Sequence, residues 1–132
     1  MLTKNELINI SKTRLKDASI LLDNDRYDGA VYLCGYAVEL RLKYCVCKAL
    51  KWSGFPSAKG EFKGYLSFKT HDLDILLHLS GREIKVKTKS LTDWSNVAAW
   101  DPETRYNVIG KVTRQEADTM ILSTRNLLKV LT

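Results

Sequence analysis

The residues best suited to chemistry lie in one short segment that begins just before the second proline. This segment, residues 100–107, combines aromatic rings, a guanidinium and a carboxamide without helical periodicity. A guanidinium can bind a phosphate through two parallel hydrogen bonds, and a tyrosine ring can stack on a base. We therefore predict a ligand site here, and its candidate residues are Trp100, Arg105, Tyr106 and Asn107. In the structural alternative, Arg105 pairs with Glu39 or Glu103 and the two rings close the core.

A polar and aromatic stripe runs along a long apolar helix predicted from about residue 25 to residue 51. Glu39 and Lys43 stand four residues apart with the acid first, which is the favourable order for a helical ion pair. Tyr32 and Tyr36 continue the same stripe. The stripe is either solvated surface or the lining of a site, and we take Tyr36, Glu39 and Lys43 as candidate ligand-binding residues.

His71 precedes Asp72 at the predicted start of another helix. Beside that carboxylate the imidazole could orient a phosphate or a partner residue, so His71 joins the candidate ligand-binding residues. The alternative is a helix-start residue that is hydrogen-bonded to the backbone or to Asp72.

The formal net charge of +6 is concentrated in the first two thirds of the chain. One short basic run is opposed only by Glu83, and it consists of Arg82, Lys85, Lys87 and Lys89. Such a run suits a polyanion, and we take it as a candidate nucleic-acid-binding surface for RNA. A solubilising surface without a ligand explains the same residues equally well.

Three cysteines fall on one predicted helix: Cys34, Cys45 and Cys47. Residues on a helix rise only about 1.5 Å each, and this spacing does not allow a sound disulfide within it, so we interpret the cysteines as reduced packing residues. Ligands for a metal would have to come from His71 and His78, seven residues apart on a different helix. The sequence therefore predicts no metal site, and we expect no cofactor.

Length and composition are those of one ordinary globular domain spanning residues 1–132. The hydrophobic content of 45% and the charged content of 27% exclude a disordered chain and a membrane protein. The longest apolar runs are interrupted by Glu39, Arg41 and Lys43, and Lys4, Asn5 and Glu6 stand where a signal peptide would be apolar. We predict a cytoplasmic protein.

The periodicity predicts an all-α fold, a four- to five-helix up-and-down bundle. Capping boxes at Thr3–Glu6 and Thr113–Glu116 mark the starts of the first and last helices. The first helix ends near residues 23–25 and turns back into the central helix to form a hairpin. A third helix starts at Thr70 or Asp72 and stops at Gly81.

Three further stretches complete the prediction of secondary structure. A fourth helix runs from about Thr92 to Trp100. Residues 83–89 alternate apolar and polar side chains like a strand but lack a pairing partner, so we expect a loop or ribbon. Residues 52–69 form a loop with possible aromatic anchors at Phe55, Phe62, Tyr65 and Phe68.

Three separated motifs resemble the HEPN domain family of small helical prokaryotic proteins. The first runs from Arg26-Tyr27-Asp28-Gly29-Ala30 into Gly35-Tyr36-Ala37-Val38-Glu39-Leu40 and Leu42-Lys43. The second is Thr70-His71-Asp72-Leu73, and the third is the tryptophan-rich approach to Arg105-Tyr106. The motifs occur in the family's order, and the resemblance extends from about Asn5 to about Leu131.

The resemblance implies an HEPN-like bundle that dimerises, and it also bears on catalysis. Family members that cleave RNA carry an arginine followed, after four to six residues, by a histidine. After Arg105 those positions hold Gly110, Lys111 and Val112. Lys111 could offer a charge to a phosphate, but a protonated lysine is a poor general base. The ribonuclease motif is therefore absent, catalytic residues are not assigned, and the expectation leans against an enzyme.

Three hypotheses follow from the residues and the resemblance. The first is a binding module that engages RNA, a nucleotide or a minimal nucleotidyltransferase partner, and the resemblance implies that it is a dimer. The second is a toxin-type ribonuclease that uses substitute residues such as Arg105, Asn107, Lys111 and His71. The third is a structural dimerisation subunit.

Overall fold

Two long antiparallel helices form the hairpin on which the rest of the protein is built. The computed structural model describes residues 1–132, except for the side chain of Lys59. Its helices are α1 (Lys4–Asp23), α2 (Tyr27–Leu50), α3 (Leu73–Leu79), α4 (Glu83–Lys89), α5 (Leu91–Val97) and α6 (Arg114–Val130). The strands β1 (Leu2–Thr3) and β2 (Gly54–Phe55) pair antiparallel, with Leu2 opposite Phe55. The predicted all-α class is confirmed.

The helix ends lie where the local capping residues predict them. The Thr3 hydroxyl accepts a hydrogen bond from the Glu6 amide at 3.2 Å, and the Glu6 carboxylate accepts one from the Thr3 amide at 2.7 Å. Thr113 caps α6 in the same way through the Glu116 amide at 3.1 Å. Asp72 caps α3 by accepting from the Ile75 amide at 3.2 Å. These bonds satisfy amides that have no partner within their own helix.

The core forms around α2, which is covered by α1, α3 and α6. Residues at helical spacing along α2 are fully buried, and they include Ala30, Cys34, Ala37, Val38, Leu42 and Cys45. A second apolar cluster joins Leu7, Val46 and Cys47 to two aromatic anchors of the loop, Phe55 and Phe62. Of the other predicted anchors, Phe68 is half-buried against this cluster and Tyr65 is exposed.

A buried arginine joins the end of α6 to the hairpin. Arg41 of α2 donates to the Ser11 hydroxyl at 3.2 Å, to the Leu128 carbonyl at 2.6 Å and to the Leu131 carbonyl at 3.4 Å. Burial lowers the pKa of its guanidinium. One charged side chain thus satisfies carbonyls at the end of α6 that have no helical partner, and it fixes the packing of three helices.

The prediction of a loop or ribbon at residues 83–89 is wrong, because this stretch is the helix α4. Val86 is fully buried, whereas Ile84, the other apolar residue of the alternating pattern, is 84% exposed. Only one apolar side chain therefore faces the core. Without a neighbouring strand, a helix satisfies the backbone groups within the segment itself. The positive φ of 73° at Gly81 ends α3 and lets the chain turn into α4.

Two other predictions differ from the structure in detail. The predicted helix from Thr92 to Trp100 is observed as the shorter α5, which ends before Trp100. After Asp101 the chain forms a 3₁₀ turn, Pro102–Tyr106, which the sequence analysis did not predict. The described residues thus contain six α-helices instead of four or five. No described helix is long and apolar enough to cross a membrane.

Candidate functional site

A contact between Trp100 and Gly35 places the arginine-bearing turn across α2. The indole lies directly on the glycine, and a Cβ atom added at Gly35 would come within 1.9 Å of the Trp100 Cε2 atom. Trp100 is only 7% exposed, and the Tyr36 ring meets it edge-on with the ring centroids 5.0 Å apart. The absence of a side chain at Gly35 therefore allows the Pro102–Tyr106 turn to approach the polar stripe of α2.

Glu39 of that stripe is a buried carboxylate that binds a histidine from another element. It is 2% exposed, and its Oε1 atom lies 2.5 Å from Nδ1 of His71. Its Oε2 atom lies 3.9 Å from the Lys43 ammonium. A carboxylate bound at Nδ1 fixes the orientation of an imidazole and leaves Nε2 available. The structural alternative for His71, a bond to Asp72 or the backbone, is therefore not what is observed.

The two tyrosines of the stripe continue this polar network. Tyr32 donates to the Tyr36 hydroxyl at 3.4 Å, and their rings meet edge-on at 5.2 Å. Burial, together with this hydrogen bond, raises the pKa of Tyr36 to about 12. Tyr36 is therefore a neutral hydroxyl at physiological pH and can act as a hydrogen-bond donor. Of the stripe, Glu39 is buried and Tyr32 lines a hollow, so the stripe is not simply solvated surface, and a ligand role for it stays a prediction.

The first of two hollows beside Arg105 is a groove between the start of α3 and residues 98–105. We call it the His71 groove, and its volume is about 600 Å³. His71 and Arg105 are its cationic or potentially cationic lining residues, and its acidic lining residues are Asp72, Asp74, Asp101 and Glu103. An imidazole held at Nδ1 can accept a proton at Nε2, but four carboxylates repel the phosphodiester of RNA. The groove does not favour the ribonuclease hypothesis.

Arg105 itself is held by its own turn and not by an acid. Its guanidinium donates to the Pro102 carbonyl at 3.1 Å and lies 4.6 Å from the centroid of the Tyr106 ring. Interaction with Tyr106 raises the pKa of Arg105. Among the described side chains, no carboxylate oxygen lies within the 4.0 Å of a salt bridge to Arg105. The predicted alternative, a pairing with Glu39 or Glu103, is therefore wrong.

The aromatic part of the structural alternative is right for one ring and wrong for the other. Trp100 closes the core, as that alternative expected, but Tyr106 is 73% exposed. Tyr106 thus presents a ring face to solvent beside an unpaired guanidinium. Asn107 follows at the end of the turn, also exposed.

The second hollow lies on the other side of Arg105, and we call it the Lys111 pocket. Its volume is about 260 Å³. Its polar lining residues are Asp28, Tyr32, Thr104, Arg105, Asn107 and Lys111, and its apolar ones are Val31, Val108, Ile109 and Val112. The Thr104 hydroxyl is buried and has no hydrogen-bond partner among the described residues. This pocket therefore offers two cations, Arg105 and Lys111, to a ligand.

One carboxylate forms the base of the Lys111 pocket. Asp28 accepts a hydrogen bond from the Gly110 amide at 2.6 Å through Oδ2 and one from the Val112 amide at 3.0 Å through Oδ1. Both oxygens are thus engaged by main-chain donors. Sequence reasoning assigned no ligand role to Asp28, because the bonds that place it join residues that are distant in the sequence.

The basic run does not lie at either hollow. Arg82 donates to the Thr132 main-chain oxygen at 3.0 Å, and Lys85 donates to the Val130 carbonyl at 3.1 Å. Lys87 lies 3.7 Å from Glu83. Cations are favourable at the carboxyl end of a helix, where carbonyls have no partner. Two of the four predicted RNA contacts thus stabilise α6, and Lys89 alone is exposed without a described partner.

The cysteines pack as predicted. Cys34, Cys45 and Cys47 are reduced and fully buried. Burial raises the pKa of Cys34 and the pKa of Cys47 to about 11 each. In the part of the chain that the structure describes, no three His, Cys, Asp or Glu side chains are grouped to hold a metal ion.

The comparisons with known proteins agree with the helical hairpin. No curated protein and no solved structure matches the chain significantly. The model of the HEPN domain family matches residues 5–57, which contain almost all of α1, all of α2 and β2. The match includes Tyr36, Glu39 and Lys43, and it ends before His71 and Arg105. Residues 5–57 are therefore similar to the HEPN domain family.

Proposed function

We propose that this protein is a HEPN-like binding module that engages a phosphate-bearing ligand, RNA or a nucleotide, at Arg105. The observation that carries the proposal is the state of Arg105: charged, exposed, without a carboxylate partner and stacked beside an exposed tyrosine. A guanidinium in this state has donors available for phosphate, and Tyr106 has a free face for a base.

Contacts within the protein hold the turn that carries Arg105. Trp100 on Gly35 fixes the position of the turn, and the Pro102 carbonyl restricts the guanidinium. Because the arginine is partly pre-oriented, less conformational entropy is lost when a ligand binds. The ribonuclease motif of the family is absent, so the proposed role is binding without an assigned bond-breaking step.

Replacement of Arg105 by alanine tests this function. We expect binding of fluorescently labelled RNA or nucleotide, measured by anisotropy at low salt, to weaken about tenfold or more, because a charge-assisted hydrogen-bonding partner of phosphate is lost. Binding should also weaken steeply as salt rises. The matched control is Arg125→Ala, which removes an equal charge from α6 outside both hollows.

Two results would contradict the proposal. One is the absence of any binding by the native protein at low salt, with RNA and with nucleotides. The other is equal loss of affinity in Arg105→Ala and Arg125→Ala, which would indicate attraction by the overall charge alone.

We also propose that the module acts as a homodimer. Tyr106, Val108 and Ile109 form a run of exposed apolar side chains beside the Lys111 pocket, and Ile109 is 93% exposed. Exposed apolar residues that are contiguous favour a protein contact. A minimal nucleotidyltransferase partner rests on the family resemblance alone, and co-expression followed by co-purification tests it.

A further inference from the structure

We propose that the ligand's phosphate is a phosphomonoester held in the Lys111 pocket, with Asp28 as the residue that positions this pocket. The inference deepens the proposed function and depends on it. Arg105 lines two hollows, and the phosphate is assigned to one of them. The negative charge of Asp28 alone would weaken binding of an anion, whereas its positioning role strengthens it.

The two hollows differ in the charged residues that line them. The His71 groove places four carboxylates beside Arg105 and a histidine. The Lys111 pocket places Arg105 and Lys111 beside a single carboxylate, Asp28. Asp28, like Asp72 and Asp101 of the groove, accepts main-chain hydrogen bonds, so the two hollows differ in their number of carboxylates and not in how these are bonded. An anion is therefore favoured in the Lys111 pocket and disfavoured in the groove.

The position of Lys111 depends on Asp28. The two amides that Asp28 binds belong to Gly110 and Val112, which directly flank the lysine. Gly110 has a φ of +83°, a conformation that glycine adopts without strain. Val108 and Ile109, earlier in the same segment, are almost fully exposed and contribute little packing. Asp28 therefore holds the backbone on both sides of Lys111 where apolar burial does not.

The size and lining of the pocket indicate the class of ligand. A phosphomonoester carries up to two negative charges near neutral pH, which match one guanidinium and one ammonium. Asn107 adds a neutral hydrogen-bonding group. The aliphatic lining and the Tyr32 ring suit the sugar or base of one nucleotide, and a volume of about 260 Å³ is too small for a duplex. The ligand is a mononucleotide or the phosphorylated end of a single strand.

The experiment compares three probes on the full-length chain by anisotropy or calorimetry. The probes are a nucleoside monophosphate, a short single-stranded RNA with a 5′-phosphate, and the same RNA with a 5′-hydroxyl. We expect the 5′-phosphate RNA to bind at least about tenfold more tightly than the 5′-hydroxyl RNA. Preference for the mononucleotide or for the RNA end identifies the source of the phosphate. Equal affinity for the 5′-phosphate and 5′-hydroxyl RNAs would overturn the inference while leaving the proposed function intact.

Two variants test the residues, each with a control of the same charge change on α1. Lys111→Gln should weaken binding of the monophosphate about tenfold, and Lys16→Gln should not. Asp28→Asn should also weaken binding, because an amide offers one acceptor where the carboxylate offers two. If Asp28 acted only through its charge, the same variant would bind the anion more tightly. Asp17→Asn removes an equal charge elsewhere and should leave affinity unchanged.

Several outcomes would contradict the inference. Native affinity in Lys111→Gln would remove the phosphate from this pocket, and tighter binding in Asp28→Asn would remove the positioning role. Loss of binding in His71→Gln with retention in Lys111→Gln would place the phosphate in the other hollow. Unfolding curves of each variant show whether the fold is retained. Gly110→Ala is a further variant, which strains the segment at its positive φ while both carboxylate oxygens of Asp28 remain. It should weaken binding as well.

Discussion

At the scale of single residues, Gly35 decides where the arginine-bearing turn can lie. Three indole atoms of Trp100 lie within 2.1 Å of the position that a Cβ would take on Gly35. Such distances do not occur between real atoms, so any side chain at this position must displace the ring. The Tyr36 ring meets the same indole edge-on, and Glu39 lies one helical turn after Gly35 on α2.

We expect Gly35→Ala to destabilise the protein by about 1–3 kcal/mol, measured by urea or thermal unfolding. Alanine in a helix gains about 1 kcal/mol over glycine, but this gain is smaller than the loss from displacing a buried indole. Ligand binding at Arg105 should weaken as well. The control is Gly60→Ala, where an added Cβ meets no atom within 4 Å and stability should change little. Equal effects of the two substitutions would refute the role given to Gly35.

At the scale of elements, two buried or partly buried cations hold the end of α6. Arg41 reaches it from α2, and Arg82 reaches it from the residue before α4. The carbonyls at the end of a helix lack intrahelical partners and carry partial negative charge. In the sequence the basic run resembles a polyanion-binding surface. Its first two cations, Arg82 and Lys85, instead have a structural role at the end of α6. The proposed ligand site therefore depends on Arg105 and Lys111 and not on this basic run.

We expect Arg41→Ala to lower the free energy of unfolding by about 2–3 kcal/mol, because hydrogen bonds from a charged group to buried carbonyls are lost and the carbonyls remain buried. Chemical denaturation followed by circular dichroism measures this change. Amide hydrogen exchange should also accelerate near the end of α6. Arg125→Ala, on the exposed side of α6, serves as the control, with a change within about 0.5 kcal/mol. A comparable loss in both variants would show that charge in general, not this buried contact, stabilises α6.

At the scale of the whole molecule, the surface proposed for dimerisation consists of apolar residues that stay outside the core. After the Pro102–Tyr106 turn, Val108 is 81% exposed and Ile109 is 93% exposed. Both residues line the proposed ligand pocket, so the proposed dimer contact adjoins the proposed ligand site.

We expect light scattering of the native protein to give the mass of a dimer, and Ile109→Glu to give the mass of a monomer with an unchanged circular dichroism spectrum. The reason is that a charge placed in an apolar contact must be desolvated without a partner. Ile84→Glu, at another exposed apolar position on α4, is the matched control and should remain dimeric. A native protein that is monomeric at all concentrations would refute the proposed dimer.

Some features of this protein follow from neighbouring residues alone. The capping box at Thr3 and the N-cap at Thr113 fix helix starts through bonds that span three residues, and the apolar periodicity of α2 requires covering helices on several sides. The first resemblance motif lies inside the family match over residues 5–57, and the other two motifs lie outside it. Local chemistry therefore determined the starts of α1 and α6, the all-α class and the resemblance of the helical hairpin to the family.

Only the tertiary structure decided which groups meet. Residues 83–89 are helical because one side of the segment, at Val86, is buried by distant residues, and a local alternation of apolar and polar residues does not contain that information. Glu39 is 32 positions from His71, and Asp28 is 82 positions from Gly110. Such pairs form because packing of the whole chain brings their elements together, and the free energy for that packing comes from burial of many apolar side chains elsewhere.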